Sequence, residues 1–319
     1  MDKKLQKANY IGNKRRLASY IVKKFPEDGK TIFDPMCGCS AILIEAVRKG
    51  YTVIGNDLSI LPNWYSKGIF EGAKLSDTEI EKIVNATPKD GWLTTSWKGM
   101  YPRKNEIRRY VDGIVIATKS FTGAKQLTAR AIASRLLQTM YSDSGSGYST
   151  RNWETIPDVK RILNKAIKEV QTLIDEVGGK GKITYLDARK TDFPASDVAY
   201  FDPPFFRKDK GHIKYFDTYR VTNSILLQKD WREENLTKEE VPDIVQRLCK
   251  SAKHIIISSA RNCQVPWAAE LGKHKKTVKK FKITYHQTSG FPNGRDSEQK
   301  ENLLIGKKAS HTGDKNEAG

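Results

Sequence analysis

Residues 198–205, Val-Ala-Tyr-Phe-Asp-Pro-Pro-Phe, decide the fold class of this chain. The first four residues are typical of a buried strand, which the two prolines end because proline donates no N–H to a sheet. The Asp202 carboxylate is then expected at the carboxyl edge of a sheet, where open α/β folds bind their ligands. An acid, two rigid prolines and the ring of Phe205 suit the holding of a flat ring that bears an amino group. Taken alone, the stretch also fits a strand followed by a simple turn.

Acids also follow other strand-like runs of the chain. Four further runs predict strands, and polar residues follow the first three: residues 31–33 before Asp34, residues 52–55 before Asn56-Asp57, residues 183–186 before Asp187, and residues 254–258. Residues 41–49 between the first two runs predict a helix, so this part forms a right-handed parallel unit. Several acids at strand ends are what a ligand crevice at the edge of a parallel sheet requires. The chain is therefore predicted to have an α/β fold.

The rhythm of strands and helices changes between residues 60 and 180. Helical patterns cover residues 76–85, 104–117, 124–140 and 158–177, in a segment too long for a simple crossover. We therefore predict one domain from residues 1–59 and 181–306, interrupted by a helical insert at residues 60–180. Near the end of that domain, residues 281–286 and 302–305 predict an antiparallel strand pair. Residues 307–319 are polar and predict a disordered tail.

The composition favours a polyanionic partner. The 319 residues include 56 Lys and Arg against 37 Asp and Glu, a net charge of +19, and neutralised phosphates release counterions that drive association. No apolar run reaches the length of a membrane span, and the N-terminus lacks the apolar core of a signal peptide. Four scattered cysteines match neither a disulfide framework nor the usual zinc spacings. We expect a cytoplasmic protein without membrane contact, bound to nucleic acid.

Taken in order, the motifs resemble the adenine-specific DNA methyltransferases of the DNA adenine methylase type. They are residues 10–17 (Tyr-Ile-Gly-Asn-Lys-Arg-Arg-Leu), 34–40 (Asp-Pro-Met-Cys-Gly-Cys-Ser), 56–57 (Asn-Asp) and 202–205 (Asp-Pro-Pro-Phe). The resemblance implies a Rossmann-like methyltransferase fold with a helical insert, and S-adenosylmethionine as the cofactor. It also implies double-stranded DNA with a flipped base as the substrate and target recognition by residues 60–180. The setting that it implies is restriction-modification with a partner restriction endonuclease, or phage or orphan modification. One departure is that Met36 and Ser40 replace an aromatic residue and a glycine of the family's loop.

The resemblance also implies which residues bind the cofactor. The loop with Asp34, Pro35, Cys37 and Gly38 would bring its backbone against the methionine part. Asp57 would accept hydrogen bonds from the ribose hydroxyls, although capping a helix also suits an aspartate there. Two further groups complete the predicted cofactor site: Asp187 at the adenine amino group, where capping or a turn is the alternative, and Tyr10, Gly12 and Lys14 over the methionine end, with Lys14 at the carboxylate.

Residues 202–205 would perform the chemistry. Ionised Asp202 and the carbonyl of Pro203 would each accept one N–H of adenine's exocyclic amine, and so stabilise the positive charge that develops during transfer. Pro204 keeps the turn rigid, and Phe205 would stack on the flipped base unless it is a core residue. Neither a metal nor a covalent enzyme intermediate is needed.

Two other functions remain open from the sequence. The same motif could present cytosine N4 or an RNA base. The altered glycine loop also fits a DNA-binding relative without catalysis. A nicotinamide-dependent dehydrogenase lacks support, because the spaced three-glycine fingerprint is absent from the sequence.

Overall fold

The strands of the protein form one large sheet and one small hairpin. The computed structural model describes residues 13–97, 102–141, 155–204, 206–207, 211–212, 215–260, 263–274, 276–288 and 296–308. The strands within these residues are β1 (Thr31–Asp34), β2 (Thr52–Asn56), β3 (Gly181–Thr184), β4 (Ser196–Phe201), β5 (Phe206–Arg207), β6 (Gly211–His212), β7 (Ala252–Ala260), β8 (Lys276–Thr288) and β9 (Asp296–Lys308). Over this described part, seven strands pair in the order β3-β2-β1-β4-β7-β9-β8, and β5 pairs with β6.

The order of the strands in the sheet defines a topological switch point beside β1. Strands β3, β2, β1, β4 and β7 run parallel, whereas β9 pairs antiparallel with both β7 and β8. From β1 the chain moves first to β2 and β3 on one side, and later to β4 and β7 on the other. Such a reversal opens a crevice at the carboxyl ends of the neighbouring strands.

Helices cover both faces of this sheet. The helices in the described residues are α1 (Ala18–Val22), α2 (Ala41–Arg48), α3 (Ile60–Glu71), α4 (Asp77–Val84), α5 (Trp92–Thr95), α6 (Asn105–Ala117), α7 (Gly123–Met140), α8 (Ile156–Val177), α9 (Tyr215–Leu227), α10 (Val241–Ser251) and α11 (Trp267–Lys273). No helix of this described part is long and apolar enough to cross a bilayer.

The side chains of β4 alternate between two hydrophobic clusters. Val198 and Tyr200 belong to the cluster that also contains buried residues of α1, α2, α3, α7 and α8, whereas Ala199 and Phe201 pack with α10 and α11. Because both faces are covered, residues 198–201 of this strand are all apolar, as in parallel sheets generally. The buried residues of α4 and α6 belong to the first cluster too, so the helices of residues 60–180 share a core with the sheet.

Most elements lie where the sequence predicts them, but β3 is an exception. It covers Gly181–Thr184, whereas the prediction was residues 183–186. Pairing with β2 ends at the partners Asn56 and Thr184, and the Oδ1 of Asn56 then accepts the backbone N–H of Leu186 at 2.9 Å. This hydrogen bond turns the chain out of the sheet, which leaves Tyr185 and Leu186 exposed.

Two further differences concern helices and the end of the chain. The sequence prediction did not include α1, α3, α5, α9, α10 or α11. Helix α3 was not predicted, because Pro62 and Gly68 interrupt its pattern. The proline lies in the first turn, where its missing N–H costs no hydrogen bond, and Gly68 allows α7 to approach, since a Cβ there would lie 2.3 Å from that of Ala131. Strand β9 continues to Lys308, so Lys307 and Lys308 belong to the sheet and not to a disordered tail. Residues 309–319 lie outside the described residues.

Candidate active site at the carboxyl edge of the sheet

A cavity of about 1020 Å³, which includes space open to solvent, lies at the switch point beside β1. It is lined by the acids at the carboxyl ends of β1, β2 and β4, namely Asp34, Asp57 and Asp202. Other predicted site residues that line the same cavity are Lys14, Pro35, Cys37, Gly38, Asp187 and Pro204. The structure therefore brings together residues that are up to 190 positions apart, counted from Lys14 to Pro204.

The loop between β1 and α2 has two residues with left-handed backbone. Gly38 has a φ of 51° and Ser40 a φ of 57°. A side chain at such a φ costs about 1–2 kcal/mol, which explains why the resembling family has glycine where this chain has Ser40. The hydroxyl of Ser40 donates to Ser66 at 2.7 Å, and the Ser66 hydroxyl donates to the carbonyl of Gly38 at 3.0 Å. These hydrogen bonds hold the loop despite the serine.

Asp57 organises the same loop from the end of β2. Its Oδ2 accepts the backbone N–H of Gly38 at 2.9 Å, and its Oδ1 accepts that of Ser59 at 2.9 Å. Burial raises the pKa of this carboxyl to about 6, although the two hydrogen bonds favour the ionised form. The cap of α3 is Ser59 and not Asp57, so the capping alternative is wrong. Each oxygen of Asp57 keeps a second lone pair for another donor.

Asp34 is the most buried acid of the cavity, with a relative exposure of 2%. Its Oδ1 accepts the backbone N–H of Met36 at 3.0 Å. Burial raises the pKa of Asp34 well above its usual value, and the charges of Asp202 and Asp57 add to that rise. The lone pairs of Asp34 that the backbone does not use can accept a donor placed in the cavity.

Asn56 is a residue that the sequence prediction did not select for the site. Its Nδ2 donates to the carbonyls of Pro35 at 3.0 Å and Leu186 at 2.9 Å, and its Oδ1 accepts from Thr184 at 2.8 Å. The side chain thus ties the loop after β1 to the loop after β3. Its position directly before Asp57 at a strand end was the available signal.

Cys37 contributes to the loop through its backbone and packing. Its N–H donates to the carbonyl of Asn56 at 2.9 Å. Burial raises the pKa of its thiol well above the usual value, so the thiol stays protonated and unreactive. Within the described part of the chain, no group of three or more His, Cys, Asp or Glu side chains is arranged so that it could hold a metal ion.

Asp187 lines the cavity but is already paired with Arg189. Its Oδ1 accepts from the backbone N–H and the Nε of Arg189, both at 2.9 Å, and its Oδ2 accepts from the guanidinium at 2.9 Å. Burial alone would raise the pKa of Asp187, but hydrogen bonds and the charge of Arg189 outweigh it and lower the pKa. The turn that the sequence left as an alternative is thus present. Its contact with a cofactor's adenine stays a prediction.

Lys14 contacts the predicted catalytic acid. Its Nζ lies 2.8 Å from Oδ2 of Asp202 and 3.7 Å from Oε2 of Glu301. Lys14 and Glu301 are buried, and Asp202 keeps 15% of its side chain exposed. The sequence predicted Lys14 at a cofactor carboxylate, but in the structure protein carboxylates lie against its ammonium. Three charges that are close in space come from the N-terminal segment, β4 and β9, so no local pattern could reveal them.

The second carboxylate oxygen of Asp202 has no hydrogen-bond partner in the described residues, although it is buried. A buried acceptor without a donor costs about 1–3 kcal/mol, so this oxygen favours a ligand that donates an N–H or O–H. Burial raises the pKa of Asp202 to about 6, with Lys14 lowering it and Glu301 raising it. At neutral pH the carboxylate is therefore ionised and ready to accept.

The structure describes only some of the remaining predicted site residues. Pro203 is buried, and Pro204 is half-buried against the cavity. Tyr10, Gly12 and Phe205 lie outside the described residues.

Asn223 of α9 links the chain after residues 202–205 to the start of α3, beside the cavity. Its Oδ1 accepts the backbone N–H of Leu61 at 2.8 Å, and its Nδ2 donates to the hydroxyl of Ser59 at 3.0 Å. Asn223 is completely buried, and nothing in its neighbouring sequence marked it. It fixes α9 against the start of α3.

The sheet, its switch-point cavity and the strand-end acids define a Rossmann-like methyltransferase fold. The chain belongs to the D12 class N6 adenine-specific DNA methyltransferase family, whose model matches residues 10–240. A type II methyltransferase of Haemophilus parahaemolyticus, M2.HphI, is 31% identical over 107 residues. That alignment covers 33% of this chain and 32% of the relative, so it spans about a third of the relative's length.

Solved structures with a similar layout are methyltransferases of distant sequence. A precorrin-6y C5,15-methyltransferase from Geobacter metallireducens has a TM-score of 0.38 and 8% identity, over 95% of this chain and 93% of that one. A magnesium protoporphyrin IX methyltransferase from Synechocystis, solved with bound S-adenosylmethionine, has a TM-score of 0.36 and 12% identity, over 92% and 77% of the two chains. Scores this low add nothing to the argument from the sheet and the family.

Proposed function

We propose that this protein transfers a methyl group from S-adenosylmethionine to the N6 amine of adenine in DNA. The observation that carries the proposal is the ionised Asp202 at the end of β4, with one buried oxygen that lacks a hydrogen-bond donor. Membership of the adenine-specific family supports adenine over cytosine N4 and over an RNA base.

The cavity suits S-adenosylmethionine by the chemistry of its lining. Asp34 and Asp57 offer acceptors for the amine and hydroxyl groups of such a cofactor, and the left-handed Gly38 keeps the loop free of side-chain bulk. Pro35, Cys37 and Ala41 add apolar surface. When bound, this cofactor supplies an electrophilic methyl group on a sulfonium.

Asp202 and the Pro203 carbonyl are proposed to act on the substrate amine. Its lone pair is delocalised into the ring, so it is a weak nucleophile. Two acceptors that each take one N–H orient the nitrogen, and the carboxylate stabilises the positive charge that develops on it. The nearby burial strengthens this interaction, because the local dielectric is lower than in water.

The target is proposed to be double-stranded DNA with the adenine turned out of the helix. The amine of a paired adenine is inaccessible, and a cavity at a sheet edge can receive only an extruded base. We propose residues 60–180 as the target-recognition region and residues 1–59 with 181–306 as the catalytic part. Phe205 is proposed to stack on the base. A partner endonuclease, in a restriction-modification setting in the cytoplasm, completes the proposal.

A methylation assay followed by nucleoside analysis tests this function. The full chain is incubated with labelled S-adenosylmethionine and with DNA or RNA of mixed sequence, and the modified nucleoside is identified. N6-methyladenine in DNA is the expected product. N4-methylcytosine, or label in RNA alone, would move the assignment to those acceptors, and calorimetry without cofactor binding would indicate a non-catalytic relative.

Activity should fall in acid as Asp202 becomes protonated. A protonated carboxyl donates one O–H and has lost the charge that stabilises the substrate amine. Because the pKa of Asp202 is raised to about 6, the single-turnover rate should decrease below that pH, by about tenfold per pH unit. Rates measured with saturating DNA and cofactor check this. A rate that stays constant down to about pH 4.5 would contradict it.

DNA affinity should depend strongly on salt because of the net charge of +19. Each neutralised phosphate releases a counterion, so Kd should increase by about tenfold or more between about 50 and about 200 mM salt. Fluorescence anisotropy with a labelled duplex measures this. A Kd independent of salt would rule out binding dominated by phosphate contacts.

A further inference from the structure

The side chain of Glu301 extends to the candidate active site from a strand that does not neighbour β4. It lies on β9, which is separated from β4 by β7, and its register partners are Ala260 of β7 and Ile283 of β8. At 7% exposure it is a buried acid, and its Oε2 is 3.7 Å from the Nζ of Lys14. A buried carboxylate is costly unless a partner offsets it, so its position beside Lys14 needs a reason.

The reason lies in the charge balance around Asp202. The Lys14 ammonium, 2.8 Å away, stabilises the ionised form of Asp202, but it also cancels the charge of that carboxylate. A neutral pair would stabilise a developing positive charge on a substrate amine poorly. With Glu301 included, two carboxylates of the described residues surround one ammonium, and these three groups together carry one net negative charge.

The two carboxylate oxygens of Asp202 have different surroundings. Lys14 contacts Oδ2, while the buried Oδ1 has no hydrogen-bond partner in the described part of the chain. A second anchor for Lys14 at Glu301 holds its ammonium on the Oδ2 side. The Oδ1 is thereby left to an incoming N–H.

We propose that Glu301 is a positioning residue for the methyl transfer, which acts through Lys14 to keep a net negative charge and an open oxygen at Asp202. The proposal rests on the proposed function, since it assigns a role in that reaction. The ionisable groups that face Asp202 in the described residues are Lys14, Asp34, Tyr200 and Glu301. The hydroxyl of Tyr200 shares a hydrogen bond with Ser258 at 2.8 Å, and burial raises its pKa well above the usual value, so it stays neutral.

The test compares Glu301→Gln, Lys14→Met and the double variant in the full chain. Glu301→Gln keeps the shape but removes the charge, so the single-turnover rate at neutral pH should fall by about fivefold or more, with Kd for DNA within about twofold of the parent. The pH below which its single-turnover rate falls should be lower than in the parent, because a negative charge near Asp202 is lost. In Lys14→Met, that pH should be higher than in the parent. In the Lys14→Met background, Glu301→Gln should have no further effect on the rate.

A titration that needs neither cofactor nor substrate separates this proposal from the proposed function. NMR of the Asp202 carboxyl carbon should show its pKa lower in Glu301→Gln and higher in Lys14→Met than in the parent protein. Glu301→Asp, which restores the charge, should recover part of the rate. Thermal unfolding shows whether each variant is folded.

Two outcomes would overturn the role of Glu301. One is a Glu301→Gln protein with the parent rate and an unchanged Asp202 titration. The other is an equal loss of rate with and without Lys14, since Glu301 would then act independently. If Lys14→Met is too slow to measure, the titration decides. A parent chain that methylates no DNA would refute the proposed function instead, and the titration would still report on the three charges.

Discussion

Asp202→Ala should lower methyl transfer to DNA by roughly 10³-fold or more while leaving DNA affinity nearly unchanged. In the proposed mechanism, the substitution removes the acceptor that orients the substrate amine and the charge that stabilises it in the transition state. We expect DNA affinity to depend mainly on phosphate contacts spread over the basic surface, which this change does not touch. Single-turnover rates and anisotropy on the same duplex measure the two effects separately.

Asp202→Asn refines this test, because it keeps the shape and one acceptor oxygen but removes the charge. It should retain more activity than the alanine variant, and its single-turnover rate should no longer fall as the pH drops below about 6. Asp243→Asn is a matched control, since Asp243 is an exposed acid of the proposed catalytic part and does not line the cavity. Full activity of Asp202→Ala would remove Asp202 from the chemistry.

Asp57→Ala should weaken S-adenosylmethionine binding by roughly 10²-fold, the second largest effect that we expect. The alanine leaves the backbone N–H groups of Gly38 and Ser59 without their acceptor, each at a cost of about 1–3 kcal/mol. The loop after β1 then loses its fixed shape, and cofactor binding must order it again. Calorimetry with the cofactor measures the loss.

Asp57→Asn provides the graded comparison for the loop. Its amide has one acceptor oxygen, so it can serve only one of the two carboxylate positions, and its effect should lie between the parent and alanine. Thermal unfolding of both variants distinguishes a loosened loop from a lost fold. Equal cofactor affinity in all three proteins would show that the loop does not depend on Asp57.

The sequence predicted the sheet well because its strands carry local signals. β1, β2 and β4 are apolar runs that end at Asp34, Asn56-Asp57 and Asp202, and the prolines after Phe201 mark the end of β4. Prediction failed at β3, where a hydrogen bond from the distant Asn56 ends the strand. It also missed α3, in which a proline and a glycine are tolerated for reasons of position and packing.

For the site, the sequence predicted which residues gather but not how they pair. Asp34, Asp57, Asp187 and Asp202 all line one cavity, as strand order implies. The engagement of Asp187 by Arg189 depends on the local turn, and that of Lys14 on residues far away in the chain. Pairing between side chains is decided by distances of a few ångströms, which spacing along a chain does not encode.

By itself, the sequence determined the order of the elements, the acids at the ends of the strands and the likeness of its motifs to a methyltransferase family. These features depend on the alternation of apolar and polar residues and on the backbone limits of proline and glycine. Only the tertiary structure decided that Lys14 and Glu301 flank Asp202 and that one carboxylate oxygen stays open. The physical reason is that the charge state of a buried acid depends on the groups around it in space, and here those groups arrive from three distant parts of the chain.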